Sequence, residues 1–326
     1  MHVVRLALLL VVVGCLAVSG VTCRAYRRDL QEAEKRVMSG SRIAQTRCGP
    51  IEYASIGEGS PLLTVHGAGG GFDQALAFAP RFVDEEGFRG IFVSRFGYLR
   101  TPLPADASAE AQADAHACLL DVLGIDRASV LGVSAGGPSA LQFALRHPQR
   151  CSALILLVPA AFTPDDGGQH RTAPRATQFL GTVMRSDFAF WVAIHLARRS
   201  MIENVLGTPI EVADHASAAE RQRLDMMLMN ILPTSRRRAG LMNDAAVVST
   251  LKRPPLEQVK VPTLLISVED DRYGTFRGAR YTASEIPGAR FISYRDGGHL
   301  FVGHNEELLT EISAFLKAFG VRGPPR

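Results

Sequence analysis

The chain has 326 residues, 47% of them hydrophobic and 21% charged, which is an ordinary globular balance. That balance excludes a disordered chain, a collagen and a coiled-coil rod, and the length fits one large domain or two modest ones. The net charge of +4 is spread thinly along the chain and gives no footing for a nucleic-acid partner. Arg236-Arg237-Arg238 is the one local basic cluster, and it reads as a solvated face. Five cysteines are present: Cys15, Cys23, Cys48, Cys118 and Cys151. No CxxC pair or zinc spacing occurs, and only three cysteines lie beyond the N-terminal segment, so no disulfide framework is expected. Cys118 and Cys151 read as small buried hydrophobes.

The run from Leu6 to Cys23 carries no charge, and its eighteen residues sit at the lower edge for spanning a bilayer. Arg5 precedes it, and Arg24, Arg27 and Arg28 follow. Residues 1–23 read as an uncleaved signal anchor, or as a signal peptide with Ala17-Val18-Ser19 as a small-x-small cleavage pattern. The expected location is therefore membrane-anchored through the N-terminal helix, or exported if the segment is cut. The flanking charges leave the side of the membrane open. Residues 24–44 begin polar and rich in helix formers, as a helical stalk or linker would.

Residues 45–159 then alternate between strand and helix patterns. Strands are expected at 51–57, 61–67, 91–97, 129–134 and 152–158, with helices at roughly 73–86, 108–123 and 136–146. Residues 160–250 contain no convincing strand and several helical patterns, too long a stretch for a plain loop. They read as an inserted helical cap. The alternation resumes over 251–326, with strands at 263–268 and 289–294 and helices at 275–286 and 305–319. Short apolar strands alternating with helices give an α/β class with a mostly parallel sheet covered on both faces.

Gly132-Val133-Ser134-Ala135-Gly136 matches G-x-S-x-G, follows an apolar strand and opens a helix. A nucleophilic serine needs such a sharp turn, and glycines two residues to each side avoid collisions there. The Ala135 amide, at a helix N-terminus, is placed to bind a developing oxyanion. His66-Gly67-Ala68-Gly69-Gly70-Gly71, also after a strand, offers Ala68 as the second oxyanion donor, with His66 orienting the loop. A serine needs an imidazole base and a carboxylate to fix its tautomer. His299, in a loop after the last strand, is the expected base, with His304 as rival. Asp271 is the expected acid, with Asp270 beside it and Asp165 and Asp166 as distant alternatives. The order Ser134, Asp271, His299 is Ser…Asp…His.

With these segments in order, the chain from about 45 to 319 resembles the α/β-hydrolase superfamily. The residues carrying the resemblance are HGAGGG (66–71), SRFGYLRTP (94–102), GVSAGG (132–137), ISVEDDR (266–272) and DGGH (296–299). The resemblance implies an eight-stranded sheet with a helical cap inserted after the sixth strand. In that family a glycine usually stands three residues before the acid; Val268 stands there here. Tyr98 and Arg100 depart from the usual loop after the fourth strand, and Tyr98 is expected to line the pocket. Serine at residue 134 argues against the relatives that use aspartate there.

The expected function is a serine hydrolase acting on carboxylic esters of small to medium apolar substrates through an acyl-enzyme, with no cofactor and no metal. The alternatives are the same triad used for carbon–carbon bond hydrolysis, acyl transfer or perhydrolysis, or a non-catalytic binding protein of the same fold. Phe179, Phe188, Trp191, Met226 and Met229 are candidates for an apolar acyl pocket, although packing of the cap explains them equally.

Overall fold

A computed structural model describes residues 2–77, 87–164 and 184–320. The described strands are β1 (Arg42–Thr46), β2 (Gly49–Ile56), β3 (Ser60–Val65), β4 (Phe88–Val93), β5 (Ala128–Val133), β6 (Cys151–Leu157), β7 (Thr263–Val268) and β8 (Arg290–Tyr294). They form one eight-stranded sheet in the order β1-β2-β4-β3-β5-β6-β7-β8. β1 and β2 pair antiparallel, as do β2 and β4, and every later pairing is parallel. β6 and β7 are buried along their whole length, which is why CSALILL and TLLISV are continuous apolar runs without alternation.

Helices α3 (Ala109–Val122) and α4 (Gly137–Arg146) pack on one face of the sheet, with Leu119, Leu120, Leu141 and Phe143 against Leu63, Val65, Ile91 and Val130. The other face is covered by the closing amphipathic helix Asn305–Phe319, through Leu308, Ile312 and Leu316 against Leu131, Ile155 and Ile266. Strand order reverses at β3, which has β4 on one side and β5 on the other. Open α/β sheets bind ligands in the crevice beyond the strand ends at such a switch point. Val65 pairs with Gly132 in register, so the loops after β3 and β5 leave the sheet side by side.

Past Val158 the chain leaves the sheet. The described part of the inserted segment is helical: α5 (Asp187–Leu196), α6 (Arg198–Val205), α7 (Ile210–His215), α8 (Ala218–Asn230) and α9 (Arg238–Ser249). Phe190, Trp191, Met201, Leu224 and Leu228 form its own apolar core. Phe179, Asp165 and Asp166 lie outside the described residues, as does the second half of the helix expected over 73–86. α2 spans Phe72–Ala77.

The N-terminal expectation is overturned. α1 runs unbroken from His2 to Met38, and among the described residues no helix is long and apolar enough to cross a membrane. The apolar run is short for a bilayer, and the helix continues beyond it onto the inserted segment instead of standing away as a stalk. Ala33 and Val37 are buried, Trp191 Nε1 donates to Asp29 Oδ2 at 2.8 Å, and Arg236 pairs with Glu34 at 2.7 Å. Residues 42–46 of the expected linker are β1 itself. The membrane-anchored location and the membrane partner are withdrawn with it.

Two smaller expectations also change. Arg237 is not on a solvated face but fully buried. Cys118 is not a lone hydrophobe: it forms a disulfide with Cys48 that ties the β1–β2 turn to α3 across 70 residues of chain. Cys151 is free and buried, and burial pushes its thiol up to about 12. Closing a loop of that length stabilises by about 4 kcal/mol in the chain-entropy account. Cys118→Ser is therefore expected to lower the melting temperature by roughly 10 °C. Calorimetry with and without reductant checks this: an unshifted midpoint in both would show that the bridge contributes nothing.

Candidate active site

Ser134 follows β5 directly and has φ 51°, a left-handed conformation that is strained for a residue with a side chain. A 3-10 turn, Ser134–Gly136, leads straight into α4. The glycines on either side are sterically required. A Cβ at Gly132 would lie 2.5 Å from Ala140 Cβ, and one at Gly136 would lie 2.6 Å from the Val65 carbonyl oxygen. The Ala135 amide is in the first turn of this helical segment, where N–H groups have no intrahelical partner.

The glycine loop after β3 borders this turn. A Cβ at Gly67 would lie 3.1 Å from Ser134 Cβ and 3.7 Å from Ser134 Oγ. Ala68, the next residue, is exposed. Beneath the loop sits a buried polar network. Arg95 Nε donates to the His66 carbonyl at 2.8 Å and its Nη2 to the Gly67 carbonyl at 3.2 Å. Asp244 on α9 grips the same guanidinium bidentately at 2.6 and 2.7 Å. His66 Nε2 accepts the Arg95 backbone N–H at 3.0 Å, so Nδ1 carries the proton and donates to the Gly67 carbonyl at 2.7 Å. Burial, then the Arg95 charge, holds the His66 imidazole well below its ordinary pKa and keeps it neutral. With both nitrogens engaged, this ring organises the loop and is not available for proton transfer.

Val268 pairs with Tyr294, so the loops after β7 and β8 also emerge together. They carry Asp271 and His299. His299 Nδ1 lies 2.8 Å from Asp271 Oδ2. The carboxylate also accepts the Tyr273 backbone N–H at 2.9 Å and the Thr275 hydroxyl. Both groups are nearly buried, which protects the pair from screening. Asp271 thereby fixes the imidazole with Nδ1 inward and leaves Nε2 for chemistry. Among the described residues no hydrogen bond joins Ser134 to His299; resting active sites often leave this contact long. His299 and Val133, the residue before Ser134, do line one cavity of about 50 Å³.

The rivals go elsewhere. Asp270 Oδ1 accepts the Gly298 N–H at 2.8 Å and so holds the histidine loop without touching the imidazole. His304 stacks on Tyr294 and pairs with Asp296 at 2.9 Å. His147 pairs with Asp114, and the Nδ1 atoms of His195 and His215 face carbonyls of their own helices. His116 is buried with neither ring nitrogen bonded, and burial drives it down to about 3.

Comparison with known proteins agrees with this architecture. A family model described as "alpha/beta hydrolase fold" matches residues 60–199. The α/β-hydrolase fold protein of Nakamurella multipartita superposes with a TM-score of 0.69 at 26% identity, covering 85% of this chain and 99% of that one. The chain has the α/β-hydrolase fold. An esterase of Exiguobacterium antarcticum shares the fold at a TM-score of 0.65 and 21% identity, over 84% of this chain and 98% of the other. In sequence, the chain is 27% identical to the 2-hydroxy-6-oxo-6-phenylhexa-2,4-dienoate hydrolase of Comamonas testosteroni, over 76% of this chain and 84% of the relative. It is 28% identical to a 2-hydroxy-6-oxononadienedioate/2-hydroxy-6-oxononatrienedioate hydrolase of Paraburkholderia xenovorans, over 68% and 75%.

Several features built on this fold carry no local signal in the sequence. Tyr98 does not line the cavity: it is fully buried, donates to Asp244 and accepts the Gly69 N–H at 3.2 Å. None of the described candidates for an acyl pocket lines the cavity at His299. Trp191 packs in the cap core against Tyr26 of α1, Phe188 and Met226 are about half exposed, and Met229 packs on the cap core. The cavity at His299 is instead lined by strand and closing-helix residues such as Leu131, Leu157, Leu308 and Leu309. Gly207, between α6 and α7, was unforeseen. Its carbonyl accepts the backbone N–H of both Arg272 and His299 at 3.1 Å, so the inserted segment spans the loops after β7 and β8. A side chain there would strike Tyr273 and His299 Cβ, which only a glycine avoids. Among the described residues no cluster of His, Cys, Asp or Glu is arranged to hold a metal ion.

Proposed function

We propose that this α/β-hydrolase is a serine hydrolase with Ser134 as nucleophile, His299 as base and then acid, and Asp271 orienting His299. The Ala68 and Ala135 amides hold the oxyanion, and the helical segment 160–250 caps a small-molecule site. The observation carrying this reading is the 2.8 Å Asp271–His299 bond, on loops at the same sheet edge as the strained Ser134 turn. Ser134 attacks an acyl carbonyl, His299 takes its proton, and the tetrahedral oxyanion collapses to an acyl-enzyme that water resolves.

For the bond broken, we favour carbon–carbon over the ester expected from sequence, because the relatives spanning most of the chain are hydrolases of 2-hydroxy-6-oxo-dienoates. Such a compound has no ester; its hydrolysable bond joins the 6-oxo carbon to its neighbour. In the 2-oxo tautomer, attack of Ser134 on that carbonyl expels a carbanion whose electron pair is taken up by the conjugated 2-oxo group. The dienolate leaves, the acyl group stays on Ser134, and water releases it as an acid. The chemistry after cleavage is identical to ester hydrolysis, so the same residues serve both.

The test is turnover of 2-hydroxy-6-oxo-6-phenylhexa-2,4-dienoate and of p-nitrophenyl butyrate by the full chain, with fluorophosphonate labelling mapped by mass spectrometry. A label on Ser134 with dienoate kcat/KM well above the ester value is expected. Ester turnover alone would restore the ester reading, and a folded protein that neither labels nor turns over either compound would overturn the enzyme reading.

A further inference from the structure

The Gly67–Ala68 peptide carries both halves of one device. Its N–H belongs to Ala68, the proposed oxyanion donor. Its carbonyl accepts three hydrogen bonds, from His66 Nδ1 at 2.7 Å, Arg95 Nη2 at 3.2 Å and the Gly70 N–H at 3.3 Å. The peptide is trans, since the one cis bond among the described residues is Leu232-Pro233. In a planar trans peptide the C=O and N–H point in opposite directions. Donors that fix the carbonyl inward therefore fix the Ala68 N–H outward, on the loop that borders Ser134. Hydrogen bonding to a carbonyl, above all by a cation, also polarises the whole amide and strengthens its N–H as a donor.

We propose that Arg95, held by Asp244, is a positioning residue that aims and polarises the Ala68 amide for the oxyanion. This rests on the serine-hydrolase reading. Arg95 does not touch the substrate; it acts through the peptide. Its fork is fully used, with Nε on the His66 carbonyl, Nη2 shared between the Gly67 carbonyl and Asp244, and Nη1 on Asp244. Tyr98 completes the clamp, donating to Asp244 and accepting the Gly69 N–H, so the peptides on both sides of Ala68 are held. Asp244 lies on α9, where the inserted segment returns to the core. The site's oxyanion donor is thus set by a residue 176 positions further along the chain, from Ala68 to Asp244.

An oxyanion donor acts in the transition state and not on the ground-state carbonyl, so its misdirection lowers kcat more than it raises KM. Loss of a whole donor costs roughly 100- to 1,000-fold in kcat, which bounds the effect from above. Arg95→Lys keeps the charge but cannot bridge two carbonyls and a carboxylate. Arg95→Lys and Asp244→Asn should each lower kcat roughly 10- to 100-fold per active site, with KM changed by less than about threefold.

The experiment is p-nitrophenyl butyrate kinetics on the full chain, with active sites counted by fluorophosphonate titration at each variant. Titration separates misfolding from misaiming. A lower kcat per titrated site at unchanged KM supports the proposal. A lower titrated fraction with wild-type kcat per remaining site would overturn it, since Arg95 would then only stabilise the fold. Wild-type kcat in a fully titrating Arg95→Lys would overturn it as well, while leaving the serine-hydrolase reading intact. A wild-type protein that does not titrate at all would remove that reading and this one together.

Discussion

Asp271→Asn is expected to lower kcat roughly 10,000-fold with little change in fold or KM. An asparagine oxygen could still accept the Tyr273 N–H, and the Thr275 hydroxyl, which shares Oδ2 with the imidazole, can rotate to accept from the amide NH2, so the loop has little reason to move. What changes is the group facing His299 Nδ1. An amide NH2 there favours the tautomer with the proton on Nε2, and such a ring cannot take a proton from Ser134. The imidazolium that forms during the reaction also loses its counter-charge. Ser134→Ala should cost more, roughly a millionfold, and adding Asp271→Asn to it should change nothing further, because the three groups act as a unit. The same comparison settles the neighbouring acid. Asp270 holds the Gly298 N–H and not the imidazole, so Asp270→Asn should cost far less than Asp271→Asn. Reversal of that order in kcat measurements would move the acid to Asp270 and defeat the assignment.

What could be read from the sequence follows the range of the forces concerned. The parallel sheet was legible because strands buried on both faces must be apolar throughout, as CSALILL and TLLISV are. The serine turn was legible because sterics write glycine at fixed offsets, and the structure puts backbone or Cβ atoms within about 3 Å of any side chain at Gly132 or Gly136. Asp271 and His299 stood out because each follows an apolar strand at a sheet edge. The support of the site was not legible. Asp244, Arg95 and Tyr98 meet across about 150 residues, and no local pattern marks a buried ion pair. Arg237 looked like one of three solvated arginines, because burial of a cation depends on a carboxylate far away in the chain. Cys48 and Cys118 gave no signal either: with an odd number of cysteines, spacing cannot choose a partner. The apolar N-terminal run misled because no local pattern shows where the rest of its helix docks. The helix carrying it docks through Ala33, Arg36 and Val37, all beyond the run.

Arg237→Met is expected to destabilise the protein by about 3–5 kcal/mol, among the largest single-residue effects available outside the site. Arg237 is fully buried, and its guanidinium donates to Asp73 at 2.8 and 3.1 Å and to the carbonyls of Gly70, Asn230 and Ile231. Removal strands the Gly70 and Ile231 carbonyls, leaves the Asn230 carbonyl to Arg36 of α1 alone, and leaves Asp73 with that single cation at 3.2 Å. Arg36 itself also caps the Asn230 and Leu232 carbonyls, so the network locks α1, the cap and the glycine loop into one unit. Thermal unfolding should fall by roughly 10 °C, and α1 should become susceptible to protease before the core does. The network also sets an acid limit. Burial alone would raise Asp73, but Arg237 and then Arg36 overcome it and hold the carboxyl below its ordinary 3.8. A carboxyl depressed on folding contributes stability that is complete above its unfolded pKa and is lost as pH falls through the folded one. The wild type should therefore keep this contribution down to about pH 4 and lose it below. In Arg237→Met, with less opposing charge, burial weighs more, so loss should begin at higher pH. A variant within 1 kcal/mol of wild type, or one with an unchanged acid transition, would show that the buried arginine does not hold these three elements together.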